Sequence, residues 1–218
     1  MLTMHDVTKT TPSTPGLRER KKRATRRAIA EAAVRLAAEH GVENVTVEAI
    51  SEAAGVSPRT FFNYFPSHDD AFVLVDEEVG ERVRQSVRTA AAGQAPLEVV
   101  RDALATELDG FESRQELWTL QAKVFQRSPH LIHRSLKAQI SDERALAVAI
   151  TDWLEATRPD DGGAGDPGLF PRLLAAVAQT ATRVALESWC ERPEETALAE
   201  AFEEVFARLA QGLPRPAE

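Results

Sequence analysis

Apolar positions recur with the period of a helix along almost the whole chain. Ile29, Ala33, Leu36 and Ala37 form a first stripe, with the 3–4 residue spacing of one helical face. Gly41 follows His40 and is placed to end that helix in a left-handed conformation. Val47, Ile50 and Ala54 form a shorter stripe, with Thr46 at its N-cap and Glu48 in its first turn. Gly55 then turns the chain. Ser57 caps the next helix, and Pro58 takes the first helical position, where a missing N–H costs nothing. Pro66 ends that helix, and Ser67 is expected to cap a third, with Asp69 and Asp70 complementing the dipole. Further helices are expected near 68–92, 97–112, 115–127, 130–157, 169–191 and 194–211. The breaks fall at Gly93–Pro96, Ser113, Ser128–Pro129, 158–168 and Arg192–Pro193.

The fold class expected is therefore all-α, with an N-terminal three-helix unit containing a helix-turn-helix and a C-terminal helical body. Residues 1–17, rich in Thr and Pro, read as a disordered tail. The expected domains are 18–66 and 67–212, with a second tail at 213–218. Of the internal breaks, only 158–168 reads as a disordered loop.

Composition sharpens this picture. The chain has 218 residues, 43% of them hydrophobic and 28% charged, enough for a packed core. Its single cysteine, Cys190, excludes an internal disulfide and a cysteine-based zinc site. It also fits a reducing, cytoplasmic setting. No apolar run reaches the length of a membrane span, and the N-terminus carries no apolar signal core.

The net charge of −8 taken alone argues against nucleic acid. Its distribution reverses that inference. Residues 1–64 hold 10 Lys and Arg against 7 Asp and Glu, whereas residues 65–218 hold 16 against 27. A basic head on an acidic body is a nucleic-acid footprint. Within the head, Arg18–Arg27 reads RERKKRATRR, and Arg18, Lys21 and Lys22 are expected on phosphates.

Two short helices joined by a tight glycine turn make a helix-turn-helix. On the second helix, Phe61 and Phe65 lie four apart and can face the core, leaving Arg59, Phe62 and Asn63 on the other face. Arginine can fork onto guanine, asparagine can pair with adenine, and an aromatic ring can touch a thymine methyl.

The segment AAVRLAAEHGVENVTVEAISEAAGVSPRTFFNYFPSHDDAF resembles the tetracycline-repressor (TetR) family of bacterial regulators in its helices, its AGVS turn and its aromatic-FPS end. That resemblance implies a homodimer with an N-terminal DNA-binding domain and a C-terminal ligand-sensing domain, joined by a helix starting near Ser67. It implies that Thr46, Tyr64 and His68 touch phosphates. The base-reading stretch would be Pro58, Arg59, Thr60, Phe62 and Asn63, with Ser57 at its head. Phe62 stands where the family often has tyrosine, and His68 where lysine is usual, which would make that phosphate contact weaker and pH-sensitive.

In the body, the resemblance implies a dimeric four-helix seam from the last two helices, with Leu173, Val177 and Val184 on one and Phe202, Val205 and Leu209 on the other. An apolar pocket among helices is the expected sensor, with Phe111, Trp118, Gln121, Phe125 and Trp153 as candidates. His130 and His133 have metal-ligand spacing but no third ligand nearby, and Cys190 lacks a basic neighbourhood, so no metal or cofactor is expected.

The function expected is a DNA-binding regulator and not an enzyme: a ligand-responsive homodimeric repressor, released from a palindromic double-stranded operator by a small molecule, with no membrane partner. The alternatives are a helical enzyme carrying a DNA-binding module and a nucleoid-type structural protein. No phosphate loop or nucleophile elbow supports the enzyme, and the acidic body weakens the nucleoid reading.

Overall fold

A computed structural model of the chain describes residues 17–74, 77–157, 168–192 and 195–213. Of the expected tails at 1–17 and 213–218 and the expected loop at 158–168, residues 1–16, 214–218 and 158–167 lie outside them, while Leu17 opens the first helix. The described residues form helices α1 (Leu17–His40), α2 (Val47–Ala53), α3 (Pro58–Tyr64), α4 (Glu77–Arg88) and α5 (Pro96–Ala105). These are followed by α6 (Leu108–Glu112), α7 (Gln115–Arg127), α8 (His130–Ala156), α9 (Phe170–Glu191) and α10 (Leu198–Ala210). No strand occurs among the described residues, so the all-α class holds. None of the described helices is long and apolar enough to cross a membrane.

Two expected helices are replaced. The helix expected over 68–92 gives way to a 3-10 turn at Asp69–Phe72, with α4 starting only at Glu77. Asp70 Oδ2 accepts from both the Ser67 N–H, at 3.1 Å, and the Ser67 hydroxyl, at 2.7 Å. Ser67 is thus tied into a tight local turn instead of capping a long helix, and Val73 is already extended. The helix expected over 97–112 breaks into α5 and α6 where Thr106 and Glu107 close the turn.

The apolar side chains settle into two cores. In the head, Ile29, Ala33, Ile50, Phe61, Phe65 and Phe72 are buried together with Val124 of α7 and Leu131 of α8. The body core gathers Val87 of α4, Val100 of α5, Ile150 of α8, Ala178 of α9 and Phe202 of α10. Ala175, Ala178, Ala181 and Ala185 line the buried side of α9, and their small volume permits close helix approach. Gly80 does the same for α4. A Cβ there would lie 2.6 Å from Asp142 Oδ1 of α8. Around this crossing Arg84 donates to Asp142 Oδ1 at 2.6 Å and Gln179 donates to Oδ2 at 2.8 Å. One carboxylate thereby joins α4, α8 and α9.

Candidate nucleic-acid interface

The recognition helix α3 is built by its ends. Thr46 Oγ1 accepts from the Ala49 N–H at 3.1 Å and starts α2. Gly55, at φ +67°, makes the left-handed turn that a side chain would strain. Ser57 Oγ then accepts from the Thr60 N–H at 3.1 Å, with Pro58 in the first turn of α3. Each cap satisfies an N–H that the first helical turn leaves without a partner. Replacing Ser57 by alanine is expected to destabilise the protein by about 1 kcal/mol. An unchanged thermal midpoint would contradict the cap.

With its ends set, α3 is rotated by its aromatics. Phe61 and Phe65 are 0% and 1% exposed and pack with ring centroids 5.6 Å apart. The helical period turns Arg59, Phe62 and Asn63 outward, and all three are exposed, Phe62 to 57%. A phenylalanine held this open loses apolar burial, which is why it reads as a contact residue. Pro58 and Ser57 are also exposed, while Thr60 and Tyr64 are half-buried. Thr60 Oγ1 lies 2.9 Å from Ser57 Oγ, a bond that competes with any base contact. Thr46 is exposed at the start of α2. Its oxygen accepts in the cap, and its hydroxyl proton remains able to donate.

Arg18, Lys21 and Lys22 are exposed on the first turns of α1, so the basic run is helical from Leu17 on. Arg26, within the basic run, takes a different role. Its NH1 donates to the Tyr64 carbonyl at 2.5 Å, and its guanidinium lies 4.4 Å from the Phe65 ring centroid. It fastens the C-terminal end of α3 to α1. Its position in the basic run is the only sequence signal; the fold directs it onto the Tyr64 carbonyl and the Phe65 ring.

His68 requires a correction. Its Nε2 lies 2.7 Å from the Val45 carbonyl and its Nδ1 lies 3.1 Å from Asp69 Oδ1. With both ring nitrogens engaged internally, the imidazole has no free N–H for the expected phosphate contact. The Phe72 ring meets the imidazole edge-on at 4.7 Å. Next to it, burial raises the Asp70 carboxyl's proton affinity. Hydrogen bonds from Ser67 and Arg134 outweigh that effect and hold it below the usual carboxylate range.

The five candidate sensor residues do not converge. Gln121 is buried and donates to the Phe72 carbonyl at 3.0 Å, so it is a tie between α7 and the head. Phe125 packs against the head core. Trp153 donates its indole N–H to the Ala90 carbonyl at 3.1 Å within the body core. Phe111 and Trp118 do meet, with ring centroids 5.3 Å apart. The Trp118 Nε1 is buried without a hydrogen-bond partner. A separate open groove of about 600 Å³ lies between α8 and the start of α9. It is lined by Val148, Asp152 and Pro171 among others, and by none of these five residues.

The expected seam divides as well. Leu173 and Val184 are exposed, Leu173 to 62%, and Val177 is half-buried. Phe202 is 0% exposed and stacks on Phe206 at 4.5 Å. Val205 and Leu209 pack against the same body core. The apolar face of α10 is turned inward, which removes Phe202 from any seam. Cys190 is raised above an ordinary thiol, chiefly by burial, which leaves little thiolate to react. Among the described residues no three His, Cys, Asp or Glu side chains gather as a metal site.

Comparisons with known proteins agree with this architecture. The profile of bacterial regulatory proteins of the tetR family matches residues 29–73. That of the MftR C-terminal domain matches residues 94–214. TcmR, an HTH-type transcriptional regulator of Streptomyces glaucescens, is 31% identical over 212 residues, covering 93% of this chain and 90% of TcmR. SmeT of Stenotrophomonas maltophilia, solved with triclosan, has a TM-score of 0.56 at 17% identity, over 89% of this chain and 99% of SmeT. FadR of Thermus thermophilus, a repressor solved with lauroyl-CoA, has a TM-score of 0.50 at 22% identity, over 88% of this chain and 97% of FadR. The last two are likenesses of fold. Given the profile on its head and TcmR along nearly its whole length, the chain belongs to the tetR family of bacterial regulatory proteins.

Proposed function

We propose that the protein is a ligand-responsive repressor that binds a palindromic DNA operator as a homodimer in the cytoplasm and is released by a small molecule. The observation that carries the reading is the outward face of α3, where Arg59, Phe62 and Asn63 stand exposed on a helix locked from behind by Phe61 and Phe65. Residues 18–66 would read the DNA and residues 67–212 would sense and pair. A two-fold dimer explains how one seven-residue helix suffices, because each copy reads one half-site.

The dimer seam is proposed on the outer face of α9, joined by α8. Leu173 and Val184 are exposed there, Val177 lies on the same stripe, and Phe170 and Val148 extend the apolar surface. Exposed apolar area of this kind marks an association surface. The effector would lie at Phe111 and Trp118, where stacked rings and an unsatisfied indole donor suit an aromatic or apolar molecule with a hydrogen-bond acceptor. Support comes from the fold relatives SmeT, bound to triclosan, and FadR, bound to lauroyl-CoA.

Selection of duplexes from a random pool by the full-length protein is expected to return an inverted repeat, with half-site centres about 10 bp or a multiple apart. Unrelated sequences would instead indicate a sequence-independent, nucleoid-type binder. Leu173→Glu combined with Val184→Glu is expected to give monomers by light scattering with little loss of thermal stability, since both positions are open. A persisting dimer would place the seam elsewhere.

A further inference from the structure

The turn between the head and α4 is held by a continuous series of polar contacts that begins on α8. Arg134 places NH1 2.6 Å from Asp70 Oδ1 and Nε 3.5 Å from Asp69 Oδ2. Both carboxylates are engaged on their far side. Asp70 holds the Ser67 N–H and hydroxyl. Asp69 Oδ1 meets His68 Nδ1 at 3.1 Å, and His68 Nε2 reaches the Val45 carbonyl at 2.7 Å. Val45 directly precedes Thr46, whose hydroxyl caps α2. The series therefore runs from the start of α8 to the N-cap of α2 with no missing link.

The chemistry of the link is specific. The Val45 carbonyl can only accept, so His68 Nε2 carries a proton and donates it there, which fixes the ring with Nδ1 facing Asp69. The charged or titratable groups around it are Asp69 and Asp70 on its own turn and Arg134 and His130 on α8, with His130 Nε2 4.0 Å from Asp69 Oδ2. A guanidinium fork can serve two adjacent carboxylates, whereas an ammonium acts as a point charge. The side-chain contacts of Phe72, Val124 and Leu131 are apolar and non-directional, and the polar ties Gln121 to the Phe72 carbonyl, Arg127 to the Ala38 carbonyl and Arg35 to Glu116 reach neither aspartate nor His68. Arg134 supplies the directional contact to the two aspartates.

We propose that Arg134 is a positioning residue through which α8 sets the reading head: a displacement of the start of α8 moves Asp69 and Asp70, and with them His68, Val45 and the cap of α2. The proposal rests on the reading of the protein as an effector-released repressor. Arg134 is 42% exposed and the two aspartates 30%, and ion pairs this open add little to stability. Their role would then be visible in geometry more than in melting.

The test uses full-length protein and the variants Arg134→Met and Arg134→Lys. In the DNA-free wild type, the His68 Nε2–H, sheltered by the Val45 carbonyl, is expected as an observable proton resonance. Arg134→Met is expected to lose it to solvent exchange, while the Trp153 indole signal persists and the thermal midpoint falls by no more than about 2–4 °C. Arg134→Lys is expected to restore part of the signal. Affinity for the selected operator duplex should fall about 10-fold in Arg134→Met and recover partly in Arg134→Lys. An unchanged His68 signal in Arg134→Met would overturn the relay. A lost signal with unchanged operator affinity would overturn its role in setting the head. Loss of the Trp153 signal and early melting would make Arg134 a fold residue, which also overturns the proposal. If the wild type selects no duplex, the repressor reading fails, and the His68 measurement still decides whether Arg134 holds the head.

Discussion

Phe202→Ala is expected to lower the stability of the protein by about 3–5 kcal/mol. The side chain is 0% exposed, stacks on Phe206 at 4.5 Å and belongs to the body core with Val100, Ile150 and Trp189. Truncation removes the transfer free energy of an aromatic ring and leaves a cavity between α9, α10 and α5 that these helices can only partly close. A loss of this size takes a large share of the stability of an ordinary domain. Denaturant titration of wild type and variant should show a lower midpoint at the same slope. The competing assignment of Phe202 to a dimer seam makes the opposite prediction: a monomer of normal stability. Finding that would return Phe202 to the interface and put the inward rotation of α10 in error.

The second large effect is expected on DNA. Arg59→Ala should weaken binding to the selected operator by about 1–3 kcal/mol, the range of a lost base-edge contact, with a smaller loss on random duplex. The argument is positional. Arg59 lies in the first turn of a helix whose N-terminus is fixed by Ser57 and whose C-terminus is fixed by Arg26 on the Tyr64 carbonyl, so its side chain is presented from a rigid support. It is exposed and belongs to neither core, so folding should be unaffected. Equal losses on operator and random duplex would make Arg59 a phosphate contact. A lower melting temperature would make it a fold residue. The slope of log affinity against log salt gives an independent check, because a base contact leaves the number of released counterions nearly unchanged while a phosphate contact reduces it by about one.

Much of the head was legible from local rules. Thr46, Gly55, Ser57 and Pro58 act on the backbone within three or four residues of themselves, so their roles can be read without knowing the fold. Phe61 and Phe65 faced inward as their spacing required, because one period and one buried side determine a short helix. The hydrogen bonds of His68 are not legible this way, because its partners, the Val45 carbonyl and Asp69, include one that lies 23 residues away. Arg26 and Arg134 were missed for a related reason. An arginine in a charged sequence reads as solvated until the fold brings a carbonyl or a pair of carboxylates within reach.

The sequence alone determined what depends on period, caps and the sign of charge along the chain. That covers the all-helical class, the helix-turn-helix, its outward Arg59, Phe62 and Asn63, and the basic head on an acidic body. Only the tertiary structure decided which face of each body helix is buried. An amphipathic stripe states that a helix has an apolar side and leaves open what covers it. The stripes of α9 and α10 look alike in sequence. Packing turns Phe202 into the body core while Leu173 and Val184 stay outside, because each helix has one neighbourhood in the fold and the sequence period carries no record of its neighbours.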